Sequence, residues 1–329
     1  MAEPDYVAQL HVVSWTLGAV IIVLCLARVW GRAVVIKQTG WDDFCMVCAM
    51  VFAIACSALV TVGVGFGLGR HTDSIAEPHD KMMAIKYTVM APPFSVISSA
   101  FGKISILIFL LRLMGVVADR WHMRVVWGLC ILLVLLDILA IVATIGFCVP
   151  AEKIWDSTVD GHCMPLRAQV VIGSVQTSYN ALMDLILAIF PTLFITKLNI
   201  NRKMKIGLCL LMGGGIFAAA ATIVKVYMMQ SIDQHDDLTW SWAPITLWYT
   251  AEMDAIIIAG TIPALWPILK MFAKKTGSSG ESYGPYKNAS ASLARPGGSE
   301  SYQLPESRGK GSGSGPMTRA LQEVDELES

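Results

Sequence analysis

Seven apolar stretches, each close to the roughly 20 residues that a helix needs to cross a bilayer core, dominate this chain of 329 residues. They lie near 11–30, 43–65, 86–111, 125–147, 169–195, 207–230 and 244–269. Each is a continuous run rather than a period-two alternation, so helices are expected over barrel strands. A soluble fold has no interior for this much apolar surface: 55% of the residues are hydrophobic and 15% charged, against about 45–50% and 25% in soluble domains. The expected fold is all-α, a seven-transmembrane helix bundle. Residues 1–10 form a short N-terminal segment, 11–272 the membrane domain and 273–329 a tail.

Orientation follows from the Lys/Arg bias of the connecting segments. Arg28, Arg32 and Lys37, then Arg112, Arg120 and Arg124, then Lys197, Arg202, Lys203 and Lys205, then Lys270, Lys274 and Lys275 fall on one side. The other side holds only Arg70, Lys81, Lys153 and Arg167. The N-terminus is therefore expected outside or in a lumen, and the C-terminus in the cytoplasm. The opening MAEPDYVAQL has no basic n-region, so the first helix is expected to drive insertion.

Of the eight cysteines, Cys25, Cys45, Cys48, Cys56, Cys130 and Cys209 lie in apolar runs, where Cys behaves as a small hydrophobe. Cys148 and Cys163 flank the loop CVPAEKIWDSTVDGHC on the oxidising side, where disulfides persist. A bridge between them is expected; the alternative is two unrelated thiols. From about Thr276 the chain turns to Gly, Ser, Pro and charge, a composition that reads as a disordered tail. Its end, MTRALQEVDELES, reads as a marginal helix. Asn288-Ala289-Ser290 matches a glycosylation pattern but falls on the cytoplasmic side.

With Lys+Arg 25 against Asp+Glu 25, no basic footprint for nucleic acid exists. There is no Walker loop, HExxH or nucleophile elbow, no metal-ligand cluster, no inverted repeat of the transporter kind, and no motif that implies a cofactor. A retinal Schiff base needs a lysine midway along the seventh helix, whereas Lys270 stands at its cytoplasmic end.

Ionisable groups inside helices carry the functional signal, because each costs roughly 2.5–3.5 kcal/mol on insertion scales and needs a partner or a cavity. On the cytoplasmic side these are Asp42, Asp43, Lys103 and Asp184, with Gln176, Asn180 and Asp184 forming a polar stripe at i, i+4, i+8. A Lys103–Asp184 pair is expected, either as a structural register pin or as part of a pocket. On the outer side stand Asp137, Lys225, Glu252 and Asp254. Glu252 and Asp254 are about 200° apart around their helix, so both cannot face one cavity. Trp248 shares the face of Glu252, and Lys225 is placed to compensate one carboxylate. Interhelical hydrogen bonding is the alternative reading of these groups.

Several runs together resemble a known family: WDD at Trp41–Asp43, GFGLGRH at Gly65–His71, GKISILIFLLRL at Gly102–Leu113, and Cys148, Trp155 and Cys163 in the outer loop. YNALMDLILAIFPTLFI at Tyr179–Ile195 and WYTAEMDAIIIAGTIPALWPIL at Trp248–Leu269 complete the series. The chain resembles the fungal rhodopsin-domain family of integral membrane proteins, satratoxin-cluster-type members included, over about residues 10 to 272. The resemblance implies either a receptor-like protein or one that serves secondary-metabolite biosynthesis. It also places a seventh-helix carboxylate at Glu252 and a third-helix lysine at Lys103. The cysteine-rich domain that precedes the first helix in receptor-like members has no counterpart in the roughly ten residues here.

The expectation is a multi-pass protein of the endoplasmic reticulum or plasma membrane that binds a small hydrophobic molecule and assists its cyclisation or isomerisation. Glu252 would act as acid, Asp254 or Lys225 would tune it, and Trp248, Asp137, Asn180, Asp184 and Lys103 would form the pocket. Membrane lipid and pathway enzymes are the further partners. A sensor that couples to a G protein is the runner-up, and a metabolite exporter the third reading.

Overall fold

The computed structural model describes residues 6–37, 39–114, 120–156, 158–195, 213, 216–217, 220–228 and 237–276. The helices are α1 (Val7–Trp30), α2 (Trp41–Phe66), α3 (Pro78–Met114), α4 (Arg120–Ile145), α5 (Leu166–Ile195), the helical residues 220–228 (α6) and α7 (Leu238–Thr276). Six of them, all but α6, are long and apolar enough to cross a membrane. Residues 196–212, most of the expected sixth span, and residues 277–329, on which the expected disordered tail, the expected terminal helix and Asn288 fall, lie outside the described residues.

Helix ends depart from the apolar stretches in one direction. α3 begins at Pro78 rather than near 86, and α7 runs from Leu238 to Thr276 rather than 244–269. With 37 residues in α3, the helix is about 55 Å long at 1.5 Å per residue, well beyond a hydrocarbon core of about 30 Å. Hydropathy marks only the part that lies in lipid, whereas the hydrogen-bond ladder continues into polar sequence such as Pro78–Lys81. Pro92 and Pro93 sit inside α3, a helix-breaking pair that membrane helices tolerate, and Ser95 Oγ donates to the Pro92 carbonyl at 3.0 Å. α1 ends in a widened π-type segment, Gly31–Ile36, closed by Lys37 in the left-handed region.

Consecutive helices pack side by side from α1 to α5, and α1 meets α7 to close the ring. α3 touches α2, α4, α5 and α7, and so runs through the middle. The apolar window of α7 is 67% buried and that of α4 only 28%, which separates a central helix from a peripheral one. α4 shows why: Val126, Cys130, Leu133, Asp137 and Ala140 recur at helical spacing and are buried. Ile131, Leu135, Ile138 and Val142 form the opposite, exposed stripe, as expected of a face turned to lipid. Between α3 and α7 small residues let backbones approach. A Cβ at Gly102 would lie 2.9 Å from Ile256, and one at Gly260 would lie 2.7 Å from Ile106 and 2.9 Å from Met46.

Cys148 and Cys163 are disulfide-bonded and pair directly in a two-stranded ribbon, β1 (Cys148–Val149) with β2 (His162–Cys163). Lys86 of α3 lies 5.4 Å from the ring centre of Trp155, which holds the loop over the bundle. Within this loop the Thr158 hydroxyl and amide donate to Asp156, which keeps that carboxyl below its ordinary range.

At the same end, the turn after α2, the start of α1 and the start of α7 are sewn together. Gly67 and Gly69, both with positive φ, turn the chain; the Tyr6 amide donates to the Gly69 carbonyl and the Gly69 amide to that of Thr239. Asp237 accepts from the Thr72 amide (3.0 Å) and hydroxyl (2.6 Å) and lies 2.6 Å from His71 Nδ1. Partial burial raises this carboxyl, but the bonds from Thr72 and His71 outweigh it and leave Asp237 below the usual range. The His71 ring stacks on Trp240 at 5.0 Å.

Candidate functional site

Two buried charge clusters occupy the bundle at different depths. The first, near the end opposite the disulfide, is built on α1 and α2. Leu10, Ser14, Gly18, Ile21, Cys25 and Arg28 are the buried face of α1, so Arg28 continues a stripe of mostly small and apolar residues into the core. Its guanidinium donates to Asp42 Oδ2, Asp43 Oδ1 and the Gly260 carbonyl, each at 2.8 Å. Arg32, one turn on, donates to Asp42 Oδ2 at 2.5 Å and Asp43 Oδ2 at 3.2 Å. Asp42 Oδ1 has Arg112 at 3.7 Å, and Phe109 lies under both guanidinium groups at 5.9 and 5.4 Å. Counting Arg28 and Arg32 with the free basic charges of a connecting segment therefore missed their partners. The available signal was the helical spacing that puts Arg28 on the Gly18–Cys25 face, followed within 15 residues by Asp42 and Asp43.

The second cluster lies deeper, among α3, α4, α5, α6 and α7. Lys103, fully buried, pairs with Asp184 at 3.0 Å and donates to the backbone carbonyl of Asn180 at 3.2 Å and to its side-chain Oδ1. Lys225 of α6 donates to Glu252 Oε2 of α7. Asp137 accepts from Gln176 Nε2 at 2.7 Å. The groups form one electrostatic system: Asp137 feels Lys103 and Glu252, and Asp184 feels Lys103, Glu252 and Lys225.

Above this cluster, toward the disulfide, is a cavity of about 350 Å³ between α3, α4, α5, α6 and α7. Phe147 and Ile154 of the disulfide-loop region reach its wall. Most of the lining is apolar, with Val89, Val96, Ile141, Val170, Ile245 and Met253 among it, and the polar part gathers where Ser99, Gln176, Asn180, Lys225 and Glu252 meet it. Its size falls in the usual range for small-molecule sites, about 300–1,000 Å³.

Of the residues singled out from sequence, Glu252, Lys225 and Asn180 reach this wall. Lys103, Asp184 and Asp137 stand behind it, joined to it through Asn180 and Gln176. Trp248 is half-buried and packs on Phe217 at 6.5 Å, away from the wall. Asp254 is fully buried on another face of α7, within electrostatic reach of Cys56 on α2, and neither of its carboxylate oxygens is hydrogen-bonded among the described residues. Ser99 and the Pro92–Pro93 wall escaped the sequence reading, because uncharged residues inside an apolar run carry no periodic signal that separates a wall from a core.

A bundle of hydrophobic helices that keeps a charged, partly apolar chamber between them is a polytopic membrane protein with an internal cavity. The profile of the Fungal rhodopsin domain matches residues 27–271, and the chain belongs to that family. It is 24% identical over 257 residues to a "SAT4 family membrane protein" of Emericella nidulans, an alignment that covers 76% of this chain and 60% of that protein. It is 24% identical over 250 residues to "Wortmanamides biosynthesis cluster protein C" of Talaromyces wortmannii (74% and 65%). With "Fugralins biosynthesis cluster protein 2" of Gibberella zeae the identity is 27% over 176 residues (52% and 42%). The chain thus spans less than two thirds of the length of each of these curated relatives. No solved structure matches it. The protein is an integral, multi-pass membrane protein.

Proposed function

We propose that the protein spans the membrane seven times, with the disulfide loop and the start of α1 on the outer or lumenal side, in the endoplasmic reticulum or plasma membrane. We further propose that it acts in secondary-metabolite biosynthesis: a small hydrophobic intermediate enters the cavity and is cyclised or isomerised by proton transfer. The observation that carries this is the Lys225–Glu252 ion pair on the cavity wall. Charge inside a bilayer is expensive and marks function by default, and this pair is turned toward a chamber rather than sealed in packed side chains. Two relatives named for biosynthesis clusters support the biosynthetic setting.

The pair alters the roles expected from sequence. Glu252 is held by a cation, so Lys225, which has only donors, is the group that supplies a proton, and Glu252 is the group that receives one. Asn180 orients the substrate beside them, while Lys103 and Asp184 fix its side chain and Asp137 holds Gln176. Asp254 and Trp248 stand off the wall and take no direct part.

The test is metabolite profiling of a deletion strain complemented with wild type or with Glu252→Gln. An uncyclised or isomeric precursor that accumulates with the variant and not with wild type supports the reading; an unchanged product pattern sinks it. A sensor is the second reading, favoured by one connection. Glu252 and Gly260 lie about 12 Å apart along α7, and the Gly260 carbonyl is held by Arg28, so a shift of α7 on ligand binding would reach the opposite end. A uniform fall in all products together with their transcripts would identify that case.

A further inference from the structure

The unused hydrogen-bonding capacity of the cavity wall defines what it takes. Lys103 is a donor only, so the side-chain oxygen of Asn180 must face it. That leaves the two amide protons of Asn180 Nδ2 without a partner among the described residues, beside the cavity that Asn180 lines. Gln176 spends its nitrogen on Asp137 and its oxygen on the Thr177 hydroxyl. Lys225 uses one of its three protons on Glu252. The Ser99 hydroxyl lines the cavity, is 5% exposed and has no partner among the described residues. Thr88, Ser95 and Thr144, also on the wall, have already given their protons to main-chain carbonyls. At the end formed by Asn180, Lys225 and Ser99 the spare groups are therefore mostly donors, against one spare carboxylate oxygen on Glu252. Gln169, about three helical turns from Asn180 on α5, also lines the cavity and brings both an amide donor and a carbonyl acceptor.

We infer that the cavity binds an apolar molecule through a carbonyl oxygen, as in a ketone, lactone or amide, seated against Lys225, Asn180 and Ser99. This rests on the small-molecule reading above and adds the ligand class to it. A carbonyl oxygen has two lone pairs and no proton, so it satisfies buried donors that no other group meets, and each donor left unmet in an apolar site costs binding. A cationic ligand is the competing class, because three carboxylates (Asp137, Asp184, Glu252) surround two lysines (Lys103, Lys225). The surplus carboxylate, Asp137, is not on the wall, however, and Gln176 stands between it and the cavity.

Three ligands of nearly equal volume and one ring system separate these cases: α-tetralone, tetralin and α-tetralylamine. Their affinities are measured on the full chain purified into lipid nanodiscs, each corrected for its partition into empty discs. The ketone is expected to bind about tenfold or more tightly than the hydrocarbon, the size of one hydrogen bond from a charged donor, and more tightly than the amine. In Lys225→Met/Glu252→Gln, a neutral pair of similar shape, the preference for ketone over hydrocarbon should fall several-fold, to what Asn180 and Ser99 still supply, while the hydrocarbon still binds. Ser99→Ala, which touches no ion pair, should cut that preference several-fold without loss of folded protein. Equal binding of ketone and hydrocarbon overturns the carbonyl assignment and leaves the cavity reading standing. Tighter binding of the amine also overturns it and makes net charge the determinant. No binding of any of the three removes both the assignment and the cavity reading beneath it.

Discussion

The arginine cluster and the lysine cluster are both buried, both ionic and both tie several helices together, yet only the lysine cluster borders a cavity. In the arginine cluster three of the four carboxylate oxygens accept hydrogen bonds, the fourth faces Arg112 at 3.7 Å, and Arg28 also donates to the Gly260 carbonyl. Phe109 packs under both guanidinium groups. In the lysine cluster the pairs are made, but Ser99, Asn180 and Lys225 keep donors in reserve, and a chamber of about 350 Å³ lies beside them. Burial of charge alone does not mark a site. Burial with unspent hydrogen-bonding capacity next to open volume does.

The largest effect should come from breaking the closed cluster. Arg28→Met leaves two buried carboxylates to share chiefly Arg32, takes the donor from the Gly260 carbonyl, and is expected to cost about 3–5 kcal/mol, so folded protein should be lost from size-exclusion profiles of detergent extracts. Glu252→Gln, by contrast, should yield folded protein at near wild-type level, because Lys225 borders a cavity that admits water. If the two variants fold equally well, the distinction between the clusters is wrong. Removing the disulfide with Cys148→Ser/Cys163→Ser opens a loop of 15 residues, worth about 3 kcal/mol in the chain-entropy account. The thermal midpoint should fall, and ligand affinity with it, because Phe147 and Ile154 wall the cavity.

Gly260→Val tests the α3–α7 approach that sets the lysine cluster's depth. The added atoms meet Ile106 and Met46, and overpacking of this kind costs about 1–3 kcal/mol, read as a lower unfolding temperature. The smallest effect belongs to the loop end. Asp237→Asn should remove about 1 kcal/mol, measured as faster amide exchange at Thr72. The sign with pH follows from the lowered carboxyl of Asp237. Its contribution is fully present above the ordinary carboxylate value, about 3.9, and is lost as pH falls through the lower folded value. Wild type should therefore show no loosening of this end between neutral pH and about 5, and should approach the variant only in stronger acid.

Much of the bundle was legible in the sequence because lipid imposes a simple rule: a span must be apolar and helical, and that is written residue by residue. Six of the apolar stretches sit inside helices or match them within a few residues, and the buried face of α4 with Asp137 on it follows from spacing alone. Helix ends past the bilayer were not legible, since hydropathy is silent about a ladder that continues in water. The Lys103–Asp184 pair was readable because both groups lie at similar depth on helices expected to neighbour each other. The Arg28–Asp42–Asp43 cluster was not, since an arginine near a span end looks the same whether it is solvated or folded inward.

Sequence alone determined that the chain is a helical membrane protein, which family it resembles, that its loop cysteines lie on one side, and which ionisable residues need partners. Tertiary structure alone decided which partner each one took. It sent Lys225 to Glu252, left Asp254 off the wall, and opened a chamber over Asn180 and Ser99. The physical reason is range: hydropathy and helical period are properties of one segment, whereas a hydrogen bond or a cavity exists only between segments distant in the chain. Which donors remain unspent becomes known only after every other helix has been packed against them.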